Sequence, residues 1–316
     1  MSSKLTRSIF LFTLICLMSL GLASSEAVAQ VDLFVTPASG DVQRYDGTTG
    51  ASLGVFTSGG PGGLGRGLVV GPDLNLVVAA PGGPGAQKFN GLSGVYISTL
   101  IASGAGGITS ASGIDLGSDG NFYLCTRANG VARFDATGAF IDYFASGGGL
   151  DAATSVFGPD GNLYVTSLIT DEVRRYNGAT GAFIDNFVSA GSGGLFRPSG
   201  LAFGPDGNLY VSSQANDVKR YNGATGAHID NFASTGLSNP NGIAFGPDGN
   251  LYVASTGGNN VRRYNGATGS LIDIFATGVN NPVYLLFYEP QLPTNVESSS
   301  WSGIKNEFTP TDEQEQ

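Results

Sequence analysis

The stretch "RYNGATGAFIDNF", residues 175–187, decides the fold because it recurs almost letter for letter along the chain. Residues 220–232 read "RYNGATGAHIDNF", and residues 263–275 read "RYNGATGSLIDIF". Asn-Gly between runs of β-forming residues is a strong hairpin signal. Each copy therefore predicts a strand, a tight turn and a second strand.

The aromatic residue of this phrase belongs to a column that runs through the whole chain. Its members are Tyr45, Phe89, Phe134, Tyr176, Tyr221 and Tyr264. They are separated by 44, 45, 42, 45 and 43 residues. A period of about 40–45 residues is typical of one four-stranded blade of a β-propeller.

A second repeated motif supplies the rest of each unit. "GPDGNLYV" begins at residues 158, 204 and 246, with variants at 71 and 117. Pro, Asp and Gly favour a tight turn, and the residues that follow are strong β-formers. No stretch of the repeats has a sustained helical period, so the sequence predicts an all-β body.

The two ends of the array are out of phase with each other. "VDLFVTP" (31–37) matches the second strand of a unit, whereas "NPVYLLFY" (281–288) matches a first strand with no unit after it. We therefore predict that the C-terminal strand completes the first blade and closes the ring, which removes its open edges. The predicted fold is a six-bladed β-propeller of four-stranded antiparallel blades, spanning residues 30–289.

The first 29 residues have the pattern of a secretory signal peptide. Lys4 and Arg7 precede an uncharged apolar run (8–23), and "AVAQ" offers a cleavage site after Ala29. The run is short for a membrane-spanning helix. The sequence predicts a secreted or extracytoplasmic protein with no stable membrane insertion after cleavage. Its location would be the periplasm, the cell surface or the extracellular space.

The segments outside the propeller also carry charge information. Removal of Lys4, Arg7 and Glu26, a net charge of +1, changes the formal charge from −10 to about −11. An acidic protein is a poor partner for nucleic acid.

The tail (290–316) is acidic and contains Trp301, Ile304 and Phe308 at helical spacing. It is interpreted either as a disordered end or as a short docking helix.

The repeat unit resembles a known class of propellers. "NGIAFGPDGNLYVAS" (241–255) followed by "NNVRRYN" (259–265) is similar to an NHL-type repeat. It also resembles the streptogramin lyase-like and gluconolactonase-like (SMP-30-like) propellers, over roughly residues 31–288. The resemblance implies the fold; these folds host many functions. Streptogramin lyase-like members would imply a histidine base at the central cavity. Gluconolactonase-like members would imply a divalent metal held by carboxylates and Asn.

A site used once should break the repeat, and two residues do so. His228 stands where other copies have Phe183 and Leu271, on the predicted outer strand, and is interpreted as an exposed substitution. Asp115 lies in a predicted inner-strand column that otherwise holds Val or Ala. The resemblance makes Asp115 a candidate ligand for a divalent cation such as Ca²⁺. The alternative is a hydrogen-bonded structural carboxylate, because Ca²⁺ usually takes six to eight oxygen ligands.

A basic column precedes the aromatic one, and an acidic column follows on the next strand. The basic residues are Arg44, Lys88, Arg133, Arg175, Arg220 and Arg263, and the acidic ones are Asp142, Asp185, Asp230 and Asp273. We predict cross-strand ion pairs. The alternative is a cationic ring that binds an anionic polymer.

The remaining candidates lie in loops expected at the entry face of the channel. They are Arg66, Arg127, Asp171, Glu172, Arg197, Asn216, Asn241, Asn259 and Asn260. The small neutral polar residues among them suit hydrogen bonding to a glycan or peptide better than acid–base chemistry. The alternative is that these are ordinary solvated loops. The leading hypothesis is a secreted, non-catalytic propeller that binds a protein, peptide or glycan, with no catalytic residue. The alternatives are a metal-dependent lyase or lactonase, with a site at the channel mouth, and a purely structural surface component.

Overall fold

A computed structural model describes residues 31–38, 40–61, 65–80 and 85–290. The predicted signal peptide (1–29) and the tail beyond residue 290 lie outside these residues. The described chain forms six antiparallel sheets of four strands each. This confirms the predicted all-β, six-bladed propeller.

Blades one to three contain strands β1 to β11 and the last strand of the chain, β24. Blade one consists of β24 (Pro282–Tyr288), β1 (Asp32–Pro37), β2 (Gln43–Asp46) and β3 (Ser52–Val55). Blade two consists of β4 (Leu68–Val70), β5 (Leu76–Ala79), β6 (Ala86–Phe89) and β7 (Tyr96–Ile101). Blade three consists of β8 (Ala111–Leu116), β9 (Phe122–Thr126), β10 (Gly130–Phe134) and β11 (Phe140–Ala145).

Blades four to six follow the same order along the chain. Blade four consists of β12 (Ala152–Phe157), β13 (Leu163–Ser167), β14 (Glu172–Tyr176) and β15 (Phe183–Val188). Blade five consists of β16 (Pro198–Phe203), β17 (Leu209–Ser213), β18 (Asp217–Tyr221) and β19 (His228–Ala233). Blade six consists of β20 (Pro240–Phe245), β21 (Leu251–Ser255), β22 (Asn260–Tyr264) and β23 (Leu271–Thr277).

Helix contributes little to the described chain. Short 3-10 helices cover Ala105–Gly107, Ser192–Gly194 and Thr256–Gly258. Within the described ranges, no helix has the length and apolar character needed to cross a bilayer.

The ring closes where the sequence predicted. Strand β24 pairs with β1, for example Phe287 opposite Leu33 and Leu286 opposite Phe34. The first blade is therefore built from both ends of the repeat array. The first strands of successive blades pack side by side, and they surround a central channel.

Aromatic residues fill the space between neighbouring blades. The Tyr164 ring lies 4.9 Å from the ring of Phe187 in its own blade and 5.0 Å from that of Phe203 in the next. Both contacts are edge-to-face, a favoured geometry for aromatic pairs. Tyr252 contacts Phe275 and Phe287 in the same way. The second of these pairs packs blade six against the closing strand.

The outer hairpins contain the predicted ion pairs. Arg175 lies directly opposite Asp185, and its Nη2 atom is 2.6 Å from Oδ2 of that residue. The guanidinium carbon also lies 4.9 Å from the centre of the Phe187 ring. The equivalent pairs of blades three, five and six are Arg133–Asp142, Arg220–Asp230 and Arg263–Asp273. The basic column is thus neutralised within these hairpins, which gives it a role in the scaffold.

The "GPDGN" turns are held by their own aspartates. Oδ1 of Asp160 accepts a hydrogen bond from the backbone N–H of Asn162, and Oδ2 accepts one from the Tyr164 hydroxyl. Burial alone would raise the pKa of Asp160, but these bonds and the charge of Arg175 outweigh it and lower the pKa. The turn therefore needs an ionised carboxylate.

Candidate functional site

One cavity is lined by residues from all six blades and marks the mouth of the channel. It contains about 280 Å³ of empty space, including its opening to solvent. Its lining residues are Arg66, Gly67, Ser112, Gly113, Arg127, Ala153, Thr154, Ser199, Asn241, Val283 and Tyr284. Three of the sequence candidates, Arg66, Arg127 and Asn241, therefore meet here.

Bulges in the inner strands determine which side chains face this cavity. The pairing of β8 with β9 shifts between Ala111 and Ile114, and β12 with β13 shifts between Ala152 and Ser155. A regular strand points successive side chains to opposite faces. A bulge adds one residue and redirects its neighbours. Consecutive residues such as Ser112 and Gly113 therefore both line the mouth.

The outermost ring of the mouth has one charged member. Each blade contributes one residue at an equivalent place: Arg66, Ser112, Ala153, Ser199, Asn241 and Val283. Burial, together with the nearby charge of Arg127, lowers the pKa of Arg66. Nε of Arg66 is buried and makes no hydrogen bond within the described part of the chain. Arg66 is thus a partly desolvated cation with free donor capacity.

Arg127 brings a second guanidinium to the same cavity from the loop after β9. Its Nη1 atom lies 3.8 Å from Oδ2 of Asp151, and about one third of its side chain is exposed. Equivalent positions hold Leu168, Gln214 and Thr256. Arg127 therefore departs from the repeat, as expected of a residue used once.

Asn241 is held by a chain of hydrogen bonds across three blades. Its Oδ1 accepts a hydrogen bond from the Ser199 hydroxyl, and its Nδ2 donates to Oγ1 of Thr256 at 3.0 Å. Thr256 in turn donates to the carbonyl of Pro282 at 2.6 Å. These bonds fix the Asn241 carboxamide at the rim of the mouth.

Tyr284 is the residue of the mouth that sequence reasoning missed. The equivalent positions of four other blades hold Gly67, Gly113, Gly200 and Gly242, and the fifth holds Thr154. Burial and the nearby Asp115 carboxylate raise the pKa of Tyr284. An alignment of "NPVYLLFY" with the glycine column would have revealed this exception.

Asp115 lies deeper in the channel, two residues beyond Gly113 on β8. The five equivalent positions hold Val69, Val156, Ala202, Ala244 and Leu286. The Asp115 carboxylate accepts hydrogen bonds from the backbone N–H groups of Leu116 (2.9 Å) and Phe157 (3.3 Å). Asp115 is only partly exposed, and the burial of its carboxyl group raises its pKa to about 6.

The described residues do not fit the divalent cation that gluconolactonase-like propellers would imply. Each oxygen of Asp115 already accepts one backbone hydrogen bond, which leaves it one further lone pair. The described ranges contain no group of three or more His, Cys, Asp or Glu residues able to hold a metal. The two guanidinium groups at the mouth would repel a cation.

Three loop candidates share one role in joining neighbouring blades. Oδ1 of Asp171 accepts a hydrogen bond from the backbone N–H of Arg197 at 2.6 Å. Asn216 and Asn259 accept the same bond from Asn239 and Asn281, each at 2.8 Å. All six residues have a positive φ angle, from 46° to 68°. These side chains thus stabilise the turn that leads into the next blade.

Two further loop candidates have partners within the scaffold, and the ninth, Arg197, contributes the backbone N–H that bonds to Asp171. Oε1 of Glu172 accepts hydrogen bonds from Arg174 Nε at 2.6 Å and from the Thr170 hydroxyl at 2.8 Å. Nδ2 of Asn260 donates to the carbonyl of Gly258 at 2.6 Å. Neither residue lines the mouth cavity.

Neither His228 nor Cys125 lines the mouth cavity. His228 is exposed on the outer strand β19, where its ring packs 5.5 Å from that of Tyr221. Cys125 is fully buried, and burial raises the pKa of its thiol to about 12. A thiol in this state is a poor nucleophile. Neither residue therefore supplies a base or a nucleophile to the mouth.

A groove adjoins the mouth on the same face. It is lined by Arg127 and Asp151 together with Leu168, Ile169, Asp171, Phe196 and Arg197. Ile169 is 75% exposed and Phe196 is 51% exposed. Arg127 thus links the polar mouth to an exposed apolar surface.

Solved structures with a similar fold include two enzymes and a chain of a protein complex. A chain of the nidogen/laminin complex is 17% identical, with a TM-score of 0.65, and the match covers 83% of this chain and 100% of that one. A gluconolactonase from Xanthomonas campestris is 18% identical, with a TM-score of 0.57 and coverage of 71% and 82%. The virginiamycin B lyase from Staphylococcus aureus is 19% identical, with a TM-score of 0.55 and coverage of 72% and 78%. These likenesses show the fold.

Sequence comparison identifies the family. No curated protein matches the chain. Residues 118–294, more than half of the chain, match a family described as "SMP-30/Gluconolactonase/LRE-like region". The match covers blades four to six, most of blade three and the closing strand. The chain therefore belongs to the SMP-30/gluconolactonase/LRE-like family.

Proposed function

We propose that the protein is a non-catalytic propeller that binds a protein, peptide or glycan at its loop face, with the channel mouth at the centre of the site. One observation carries the proposal. The mouth is lined by guanidinium, hydroxyl and amide groups, and its lining contains no His, Cys, Asp or Glu. Hydrogen-bond donors and acceptors without a titratable pair suit recognition better than proton transfer.

The groove beside the mouth supports a ligand larger than a single small group. Ile169 and Phe196 expose apolar surface next to Arg127. Exposed apolar surface with a polar border is typical of interaction sites. A ligand could place a polar group in the mouth and an apolar group in the groove.

Binding arrays test this function. We expect the purified protein to bind a subset of probes on glycan and peptide arrays, and Arg127→Glu to abolish that binding. Lys88→Glu makes the same change in charge on β6, outside the mouth, where Lys88 pairs with Asp73, and should have no effect. Blank arrays, or equal binding by both variants, would contradict the proposal.

The family match favours a second candidate function, a lyase or lactone hydrolase. Asp115 would be its central residue, because it is the acidic member of the ring of equivalent channel positions. Turnover of a lactone or a streptogramin-type substrate, lost in Asp115→Asn but kept in Lys88→Glu, would establish the enzyme. Elemental analysis of the purified protein would test for a bound divalent cation.

We also propose that the protein acts outside the cytoplasm, because residues 1–29 have the signal-peptide pattern described above. N-terminal sequencing of the exported protein should begin at Gln30. A retained Met1 in the exported protein would contradict cleavage.

A further inference from the structure

We infer that the channel mouth is an anion site whose ligand presents one carboxylate group to Arg66 and Arg127. This inference rests on the proposed binding function and names the chemistry of the ligand. The proposed binding function alone would also allow a neutral group to bind in the mouth.

Arg66 lacks a counter-charge among the described residues. None of the ion pairs between described residues involves Arg66. Its Nε atom is also buried without a hydrogen-bond partner in the described chain. A partly desolvated cation without a counter-ion is unfavourable. A bound anion would supply the missing counter-charge.

Arg66 and Arg127 bring two cations close together. Arg127 is close enough to contribute to lowering the pKa of Arg66 by charge repulsion, after the larger effect of burial. Arg66 comes from the inner-strand end of blade two, and Arg127 from the loop after β9 in blade three. Each presents several N–H donors in a plane that matches the two oxygens of a carboxylate. An anion between them would remove the repulsion.

The charged groups at the mouth indicate the charge of the ligand. Arg127 already has Asp151 at 3.8 Å, so the cluster of Arg66, Arg127 and Asp151 carries a net charge of +1. One negative charge neutralises this cluster, whereas a dianion would leave it negative. Asp115 lies deeper in the channel and is not among the charges that shift the pKa of Arg66, so it is left out of this cluster. The balance favours a carboxylate over a phosphate dianion.

The size of the mouth limits the ligand. Most of the 280 Å³ of empty space belongs to the opening to solvent, and the enclosed part has room for only a small group, such as a single carboxylate. Ser112 and Thr154 line the same space and offer hydroxyl groups. The carboxylate must therefore be an end group, and it could come from a sugar acid or from the C-terminus of a peptide.

Calorimetric titration with small probes tests the inference and separates the two sources. The probes are glucuronate and N-acetylglycine, their uncharged amides, and inorganic phosphate, all at pH 7.5 and constant ionic strength. We expect one carboxylate to bind, its amide to bind at least tenfold more weakly, and phosphate to bind more weakly than that carboxylate. Binding by glucuronate indicates a sugar acid, and binding by N-acetylglycine indicates a peptide terminus.

Substitutions of Arg66 and Arg127 test whether these two residues form the carboxylate site. Arg66→Met and Arg127→Met should each weaken carboxylate binding about tenfold or more, while Lys88→Met should leave it unchanged. Arg66→Lys, which keeps the charge but loses the planar donors, serves if Arg66→Met does not fold. Equal binding of acids and amides, or tighter binding of phosphate, would overturn the carboxylate. If Arg66→Met still binds the same array probes as the unmodified protein, the carboxylate site is contradicted, while the proposed binding function stands. If no probe binds and the arrays show no binding, both the carboxylate site and the proposed binding function are contradicted.

Discussion

Asp115 occupies a place where every equivalent residue in the channel is apolar. Its carboxylate accepts two backbone hydrogen bonds, yet burial keeps its pKa raised to about 6. For an acid with a raised pKa, the folded state binds its proton more tightly than the unfolded state. Folding stability therefore falls as the pH rises from about 4, the ordinary pKa of an aspartate, to about 6.

We predict that Asp115→Asn stabilises the protein at pH 7.5 by up to about 3 kcal/mol, the equivalent of about two pKa units. The gain should disappear near pH 4, where Asp115 is protonated in both states. Urea unfolding at the two pH values measures it.

Asp160→Asn provides a control of opposite sign. The pKa of Asp160 is lowered in the fold, so its charge stabilises above about pH 4 and this contribution is lost as the pH falls below that. Asp160→Asn should destabilise at pH 7.5 and less so in acid. A destabilised Asp115→Asn at pH 7.5 would mean that the carboxylate is required by the scaffold or by a bound cation.

Arg66, like Asp115, is held where its charge is unfavourable, but it is a cation and its pKa is lowered. Sequence reasoning named Arg66 and Arg127 among nine loop candidates, and only the closed ring shows that they meet with Asn241. Asp171, Asn216 and Asn259 were equally polar in the sequence. Their role in joining blades depends on left-handed backbone at both partners, which residue type alone does not reveal.

The strands differ in how well the sequence predicts them. The outer hairpins could be predicted down to the pairing of Arg175 with Asp185, because both lie at fixed distances from the Asn-Gly turn. The inner strands could not, because each bulge shifts the register where the mouth begins. Gly113 and Ser112 both face the cavity for this reason. The repeat thus specifies the scaffold, and its irregular inner strands specify the site.

The inner strands also approach each other so closely that they require glycine. A Cβ atom at Gly242 would lie 2.7 Å from Cα of Tyr284 and 2.8 Å from the carbonyl oxygen of Val283. Backbone atoms of the neighbouring strand cannot move aside as a flexible side chain can. The tight ring around the channel therefore rests on these positions.

We predict that Gly242→Ala destabilises the fold by about 2 kcal/mol or more, because it forces two inner strands apart. Gly249 is the matched control, since it has a φ angle of +73° and open space around its Cβ position. Gly249→Ala should cost about 1 kcal/mol from backbone conformation alone. Urea unfolding of both variants measures the difference. Equal losses would show that the inner strands can separate without cost.

At the scale of the whole molecule, closure depends on a single strand contributed by the C-terminal end. The out-of-phase ends of the repeat predicted this strand, and β24 indeed pairs with β1. Leu33 and Phe34 of β1 are fully buried in the closed ring. Without β24, they would lie on an open edge, which favours aggregation.

We predict that a chain ending at Asn281 fails to fold into a stable monomer, whereas one ending at Pro290 keeps the stability of the full chain. Thermal denaturation and size-exclusion chromatography distinguish the two. A folded monomer ending at Asn281 would mean that β24 is dispensable.

A circular permutant tests the same closure without removing any strand. Tyr252 and Phe287 make the aromatic contact that Tyr210 and Phe245 make in the preceding blade. Phe287 opposite Leu33 is therefore equivalent to Phe245 opposite Leu251, the pair that a "GPDGN" turn connects in blade six. A chain that begins at Val279, joins Phe287 to Leu33 through "GPDGN", and ends at the exposed Gly278 has six blades in phase. Exposed loops tolerate such new termini. We expect this permutant to fold with stability close to that of the natural order, because every strand keeps its neighbours.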